Sequence, residues 1–283
     1  MSAEEWKLMD LVRWTTEFFK QHDVPSPRLD AELLLAHVLD VKRMDLYLAF
    51  DQPVAAVDRA RYRELVRRRA KERWPVAYLT GVREFWSMSF RVTPDVLIPR
   101  PETETLVRVV VDLKPRRIAE LGVGSGCVSA ALARELPDAQ IVALDCSPAA
   151  LEVARQNLAS LGFGERVALV EASGLAGLEA SFDLVVSNPP YVRELELDGL
   201  APELRHEPRV ALDGGPDGLH AVRRLCAEAP AVLERPGYLV LEIGFGQAEA
   251  VEELLRAAGA AAVETFPDLA GIPRVILGRF LEA

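Results

Sequence analysis

Asn188-Pro189-Pro190-Tyr191 is the stretch of this 283-residue chain whose residue types and spacing come closest to chemistry. The Asn188 side chain offers one carbonyl acceptor and two N–H donors, with no charge and no basic lone pair. Prolyl carbonyls, with no N–H beside them, serve as further acceptors, and Tyr191 adds a flat face. Neutral acceptors next to an aromatic suit a planar –NH2 group, such as an amide or the exocyclic amine of a base. They do not suit proton abstraction. The plain alternative is a proline-rich strand exit with an asparagine cap, and four residues alone do not decide between the two.

A second constellation lies some sixty residues earlier. Ile118-Ala119-Glu120-Leu121-Gly122-Val123-Gly124-Ser125-Gly126 has the pattern of a strand running into a glycine turn that opens a helix. Glycines at alternate positions let the backbone turn tightly and let a ligand approach the main chain, while the helix N-terminus favours negative charge. The dinucleotide fingerprint wants a third glycine where Cys127 stands. The G-x-G-x-G form preceded by an acid, here Glu120, is the one that S-adenosylmethionine enzymes commonly show. Asp145 closes the next strand, where a carboxylate accepts hydrogen bonds from both ribose hydroxyls. Glu120 is placed to accept from the methionine ammonium, a charge-assisted bond. Ser147, ahead of Pro148, is a better helix cap than Asp145, which leaves Asp145 for a ligand.

Those groups need strands that end beside them. From Arg116 onward the pattern alternates. Strands are expected at Arg117–Leu121, Gln140–Leu144, Arg166–Val170, Phe182–Val186, Gly237–Ile243, Ala262–Phe266 and Arg274–Phe280. Helices are expected at Val128–Leu136, Pro148–Leu161, Gly218–Leu233 and Ala248–Ala258. Such alternation predicts an α/β fold, a Rossmann-like seven-stranded sheet that is mostly parallel and covered on both faces. The last two strands, joined through Pro267–Pro273, have no room for a crossover helix and must be antiparallel. The first seventy residues have only helical periodicity, beginning near Ala3. Leu8, Leu11, Val12, Trp14 and Phe18 mark one apolar face, and Leu33, Leu34, His37 and Val38 another. The expected domains are a helical bundle over 1–74, a linker and β-hairpin over 75–96, and the α/β domain over 97–283. In the linker region, Pro75–Gly81 precedes an alternating Val82–Val92 segment broken near Ser87. Pro101 sits well at a first helical position, with Glu102 and Glu104 favourable in the first turn.

Half the residues are hydrophobic and 27% charged, ordinary for a globular protein. No apolar run reaches the roughly 18–20 residues of a membrane span, and the acidic start Met1–Trp6 is unlike a signal peptide. Cys127, Cys146 and Cys226, like the four histidines, are too scattered for a disulfide framework or a metal site. The expected compartment is the cytoplasm, with no metal and no membrane partner. The net charge of -10 disfavours general nucleic-acid binding. Against it stands the basic stretch Arg59–Arg73, either a solvated helix face or a docking surface for an acidic partner or RNA.

Further segments narrow the reading: Pro75–Gly81, Glu84-Phe85-Trp86, Leu97-Ile-Pro-Arg-Pro-Glu-Thr-Glu104, Glu207-Pro208-Arg209, Ala211–Gly218 and Leu241-Glu242-Ile243-Gly244. Together with the two constellations they make the chain resemble the peptide chain release factor glutamine methyltransferases (the HemK/PrmC family) from about Pro75 to Phe280. The resemblance implies methyl transfer from S-adenosyl-L-methionine, with S-adenosyl-L-homocysteine as product. The acceptor is the side-chain amide nitrogen (N5) of glutamine in the Gly-Gly-Gln motif of class I release factors, a step that modulates translation termination. It implies that Gly122, Val123, Gly124, Ser125 and Gly126 form the cofactor loop and that Asp145 binds the ribose. Asn188 and Pro189 hold the glutamine amide, Pro190 and Tyr191 shape its slot, and the N-terminal bundle recognises the protein substrate. One departure concerns the adenine: the family often has an acid where this chain has Ala172, so Glu171 shifts over, or Ser173 or the main chain holds the base. The alternative function is an adenine-N6 or cytosine-N4 nucleic-acid methyltransferase, which the same four-residue motif would serve. Flipping a base into such a site needs a basic channel, which an acidic chain does not advertise, and no direct sequence-specific nucleic-acid contact is expected.

Overall fold

In the computed structural model, which describes residues 6–178 and 181–281, the chain divides into two compact units. One comprises residues up to Gly81 together with Ala201–His206; the other comprises Val82–Leu200 and the chain from Glu207. The predicted start at Ala3 lies outside the described residues.

The first unit is helical: α1 Leu8–Lys20, α2 Pro27–Leu39, α3 Asp45–Leu48, α4 Ala56–Lys71 and α5 Val76–Thr80. Leu8, Leu11, Val12, Thr15 and Phe19 recur at helical spacing along α1 and are its buried residues. Trp14 is off that line, 52% exposed and stacked on Phe18, and His37 of α2 is exposed, so neither belongs to the core face predicted for it. Where a linker is expected after Trp74, Pro75 instead caps a short helix, α5, which Gly81 ends in the left-handed region at φ 73°. Pro-Val-Ala contains no residue hostile to helix after its first position, and Leu79 is buried in the helical core.

The basic stretch proves to be interior as much as surface. Arg69 is only 5% exposed. Its Nε donates to Asp30 Oδ2 at 2.7 Å and its Nη1 to Glu203 Oε1 at 2.8 Å. Arg67 is exposed and already paired with Glu64 and Glu72, while Arg68 lies over the Trp74 ring, 4.5 Å from its centroid. A docking surface built on all three arginines is therefore excluded by burial and pairing.

The second unit opens with a hairpin, β1 Val82–Phe85 and β2 Met88–Arg91, whose two turn residues Trp86 and Ser87 both have positive φ. That is the turn geometry which follows strand twist. After a 3-10 turn at Pro101–Thr103, the main sheet and its helices run α6 Glu104–Leu113, β3 Arg117–Leu121, α7 Cys127–Glu135, β4 Gln140–Asp145, α8 Pro148–Ser160, β5 Val167–Glu171 and β6 Phe182–Ser187. They continue with α9 His220–Val232, β7 Leu233–Glu242, α10 Ala248–Ala257, β8 Ala262–Pro267 and β9 Pro273–Phe280. The order is β5-β4-β3-β6-β7-β9-β8. The first five strands are parallel, and β9 is antiparallel to both its neighbours. Apolar side chains of α6, α7 and α8 fill one core and those of α9 and α10 another, which makes the three layers the alternation predicts. β7 starts four residues before the predicted Gly237, because Leu233 pairs with Phe182 ahead of a register shift.

Replacing Arg69 with alanine leaves the buried Asp30 carboxylate without its cation, a change of about 3–5 kcal/mol for a buried pair. Urea unfolding of the full chain followed by circular dichroism is expected to show a clear loss for Arg69→Ala and an unchanged midpoint for Arg67→Ala. Equal responses would contradict the assignment of Arg69 to the interior.

Candidate active site

Strand register sets the site. Leu121 of β3 is paired with Leu144 of β4 and Ser187 of β6, and Ser187 in turn with Leu241 of β7. The residues one step further on, Gly122, Asp145, Asn188 and Glu242, therefore stand level at the carboxyl edge of the sheet. Strand order reverses at β3, between β4 and β6, so a crevice opens there, where open α/β sheets hold ligands. A cavity of about 360 Å³ occupies that place, a size suited to a nucleoside cofactor.

The glycine turn forms its floor. Gly122, Gly124 and Gly126 all have positive φ. A side chain at Gly122 or Gly124 would meet nothing within 4 Å, so open space lies beside them, whereas at Gly126 it would press on Ala154 of α8 at 3.4 Å. Gly126 accordingly serves the turn and helix packing, and it does not line the cavity. Asp145 has two structural bonds: Oδ2 accepts from the Gly124 N–H at 2.9 Å and Oδ1 from the Ser147 N–H at 3.0 Å. A carboxylate has about four lone-pair directions, so both oxygens keep capacity for a ligand while fixing the loop. Ser147 caps α8 through Ala150, as its position suggests. Ser125 Oγ is buried with no partner. An open glycine cradle, a fixed carboxylate and an orphaned hydroxyl fit S-adenosylmethionine.

Glu120 lines the cavity yet is 3% exposed, and the Ser129 hydroxyl donates to it. Burial, with a smaller push from the Asp145 charge, raises its pKa to about 8, against the lowering effect of the Ser129 bond. Ala172 and Ser173 line the far end, and the Ala172 N–H donates to the Asp145 carbonyl at 3.0 Å. Glu171 is paired with Asp145 as the last residue of β5, is exposed, and is not in the lining.

Asn188, Pro189 and Pro190 form the opposite wall. Asn188 Nδ2 donates to Thr103 Oγ1 at 3.2 Å, and among the described residues nothing donates to its Oδ1. Tyr191 is not in the lining; its ring packs against Gly244, where a Cβ would come within 3.1 Å. Burial and the neighbouring Glu242 push its phenol up to about 12. Gln247, which the sequence did not single out, holds this turn. Its Nε2 donates to the carbonyls of Tyr191 and Gly218 at 3.1 and 3.3 Å, and its Oε1 accepts from Gly244 N–H at 2.8 Å. A Cβ at Gly218 would come within 2.4 Å of the Tyr191 carbonyl, so only glycine lets the two loops meet. Glu207 ties down the other side, accepting from Ile98 N–H at 3.0 Å and pairing with Arg100 at 2.5 Å. Arg100 thus reaches the cavity already neutralised.

Sheet order, glycine cradle and carboxylate define an S-adenosylmethionine-dependent methyltransferase of the Rossmann-like class. Residues 101–216 match the family model described as methyltransferase small domain, and residues 10–81 match the PrmC N-terminal domain. The release factor glutamine methyltransferase of Geobacter sulfurreducens is 42% identical over 280 residues, 98% of each chain. That of Moorella thermoacetica is 44% identical over 260 residues, 90% of this chain and 92% of its own. The chain belongs to the release factor glutamine methyltransferase family. Two solved structures share its fold: the hMettl16 catalytic domain in complex with an RNA hairpin (TM-score 0.58, 16% identity, 82% of this chain and 86% of that one) and a methyltransferase from Pyrococcus furiosus (TM-score 0.55, 18% identity, 70% and 91%).

Glu120 gives a pH test. With its folded pKa raised to about 8 and an ordinary unfolded value near 4.3, the native state holds a proton that the unfolded chain loses. Stability is therefore expected to fall as pH rises from about 4.3 to about 8, and to fall less in Glu120→Gln. An ammonium placed against Glu120 would favour its ionised form, so binding of the cofactor in that orientation at pH 7 is expected to release protons. Calorimetry in buffers of different ionisation enthalpy measures the release, and Glu120→Gln should reduce it.

Proposed function

We propose that this protein transfers the methyl group of S-adenosyl-L-methionine to the side-chain amide nitrogen of the glutamine in the Gly-Gly-Gln motif of class I release factors, in the cytoplasm. The observation that carries the reading is Asn188. Its Nδ2 is committed to Thr103 and its Oδ1 is left to accept, at the mouth of a cradle that fits the cofactor. When bound there, S-adenosylmethionine supplies an electrophilic sulfonium methyl.

An amide nitrogen is a poor nucleophile because its lone pair is delocalised into the carbonyl. Asn188 Oδ1 and the Pro189 carbonyl, which no described backbone group uses, each accept one N–H of the substrate amide at about 2.9 Å. Holding both N–H bonds turns the lone pair toward the methyl group and stabilises the positive charge that develops on nitrogen. The carbon–sulfur bond breaks as the carbon–nitrogen bond forms, S-adenosyl-L-homocysteine leaves, and one of the two N–H protons passes to water. Alignment for in-line displacement supplies much of the remaining acceleration. Gly122, Gly124 and Ser125 support the cofactor, Asp145 receives its ribose hydroxyls, Glu120 its ammonium and Ser173 the adenine side. The wall formed by Pro190, backed by Tyr191, narrows the slot to a flat group.

The nucleic-acid alternative is not favoured. Relatives at 42–44% identity over nine-tenths or more of this chain are named for the glutamine reaction. The RNA-bound neighbour, at 16% identity, shares the fold alone. No helix among the described residues is long and apolar enough to cross a membrane, in keeping with a substrate met in solution.

Substrate selection belongs, in this reading, to the helical unit. A Gly-Gly-Gln peptide offers little surface, so preference for the whole factor needs contacts away from the glutamine. Arg63 and Lys71 are exposed and form no ion pair among the described residues. They replace Arg67–Arg69 as the cations free to meet an acidic partner.

Three measurements check this reading. Labelled methyl is expected to enter a release factor and not its Gly-Gly-Gln to Gly-Gly-Ala variant, nor duplex DNA or tRNA. Asn188→Ala should lower turnover by on the order of 10²–10³ while cofactor affinity changes less. Unchanged turnover would overturn the amide-holding mechanism. Charge reversal at Arg63 and Lys71 should slow methylation of the intact factor by about an order of magnitude at low salt, with the difference shrinking at high salt, and leave a short Gly-Gly-Gln peptide unaffected. Equal loss on both substrates would assign the two cations to the fold.

A further inference from the structure

We propose that Arg224 of α9 recognises the adenine ring of the cofactor, standing where this chain lacks the acid at Ala172. The inference deepens the cofactor part of the reading above and rests on it.

With the ribose on Asp145 at the end of β4, the next strand outward is β5. The base then lies beside the residues that follow β5. Glu171 ends that strand exposed and outside the cavity lining, and the Ala172 side chain is only a methyl group. The Ala172 N–H is already given to the Asp145 carbonyl at 3.0 Å. The end of β5 therefore brings no carboxylate to a 6-amino group.

Helix α9 supplies the rest of this end. Ala221, Arg224 and Leu225 fall on one face of the helix, about a turn apart, and line the cavity. Ala172, Ala221 and Leu225 give apolar surface, which suits the faces of a purine. Arg224 adds a cation whose place is fixed. Its Nε donates to Glu228 Oε1 at 2.7 Å, and its Nη2 lies 3.5 Å from Ser173 Oγ. Glu228 is itself held, because its Oε2 accepts from the Leu175 N–H at 2.7 Å. Gly174 leaves room for the pair: a Cβ there would come within 2.4 Å of Arg224 Nη2 and 2.5 Å of Glu228 Oε2. A solvated i,i+4 pair would account for the Arg224–Glu228 contact alone. It gives no reason for the cation to line the cavity or to lie against Gly174.

A guanidinium has five N–H donors and no acceptor. Among the described residues only Glu228 and Ser173 accept from Arg224, so donors remain for a ligand. They cannot take the 6-amino group of adenine, which is itself a donor, but they suit its ring nitrogens, which accept. An arginine in place of an acid thus reverses the sense of recognition. The base is read through an acceptor nitrogen, and its amino group is left unread.

The test is calorimetric binding of S-adenosyl-L-homocysteine to the full-length protein. This ligand lacks the sulfonium charge, so a change in cation repulsion does not mask a lost contact. Arg224→Met keeps the reach of the side chain and removes its donors. It is expected to weaken binding by roughly 10–100-fold, the scale of a hydrogen bond to a charged group, with an unchanged circular dichroism spectrum. Glu228→Gln should weaken binding less, and add nothing in the Arg224→Met background. Analogues with carbon in place of N1, N3 or N7 identify the contact. One of them should bind the native protein more weakly by a similar factor, and bind Arg224→Met no worse than it binds the native protein. The analogue with hydrogen in place of the 6-amino group should lose little. Unchanged affinity in Arg224→Met would overturn the proposal, as would the same loss from that substitution with the parent ligand and with every carbon analogue. A large loss with the 6-hydrogen analogue would place an acceptor at the amino group and overturn it too. Failure of the cofactor reading itself would show differently, as no binding of S-adenosyl-L-homocysteine to the native protein.

Discussion

Two consecutive prolines give a sheet no N–H to hold, and the site depends on how the chain compensates for that. Pro189 and Pro190 must leave the ladder at the end of β6, so their position is set from outside. Gln247 spans the Tyr191 and Gly218 carbonyls and the Gly244 N–H. Val192 bonds to Leu212 and Gly214 on the returning loop. Gly214 and Gly218 let that loop approach the Pro190 and Tyr191 carbonyls more closely than any Cβ would allow. The Ala211–Gly218 and Leu241–Gly244 segments, which carry no reactive group of their own in the slot, are thereby bound to the geometry of Asn188.

The two walls of the cavity differ in electrical character. On the cofactor side stand Asp145, fixed by two N–H donors, and Glu120, buried and holding its proton more firmly than an ordinary carboxyl. On the acceptor side Asn188 Oδ1 and the Pro189 carbonyl are neutral oxygens of residues that line the cavity. Anionic groups suit ribose hydroxyls and an ammonium. Neutral acceptors suit an amide that must keep its lone pair for attack. Arg100, which reaches the same cavity, is paired with the buried Glu207 carboxylate. Two acids from different strands thus differ because one accepts from two backbone N–H groups and the other is desolvated by burial.

The helical unit makes a similar point about charge. Its basic stretch holds seven arginines and a lysine between Arg59 and Arg73. Arg69 and Arg73 both reach Glu203, a residue 130 or more positions further along the chain. The segment Ala201–His206 thus belongs to this unit and not to the one that surrounds it in sequence. Trp74 is stacked on His206 and lies under Arg68. Two of those eight cations, Arg69 and Arg73, are thus committed to the returning segment.

Local patterns in the sequence are enough for the architecture and for the chemical types at the site. Alternating strands and helices, the room-less Pro267–Pro273 connection and the glycines after β3 each depend on neighbours within a few residues, where periodicity and steric limits act. Asn188, Asp145 and the glycine cradle were legible because strand ends are legible. Thr103, Glu207 and Gln247 were visible as letters in quoted segments or not at all, since what each does depends on a partner far off in the chain. Gln247 meets Tyr191 across 56 residues and Asn188 meets Thr103 across 85. The fate of the arginines was decided the same way: helical spacing puts Arg69 on a face, and only packing against Asp30 and Glu203 makes that face an interior. Sequence by itself determined the kind of group that reaches the crevice; tertiary contacts alone decided which of those groups are free, which are neutralised and which way round Asn188 is held, because hydrogen bonds and desolvation are properties of a surrounding and not of a residue.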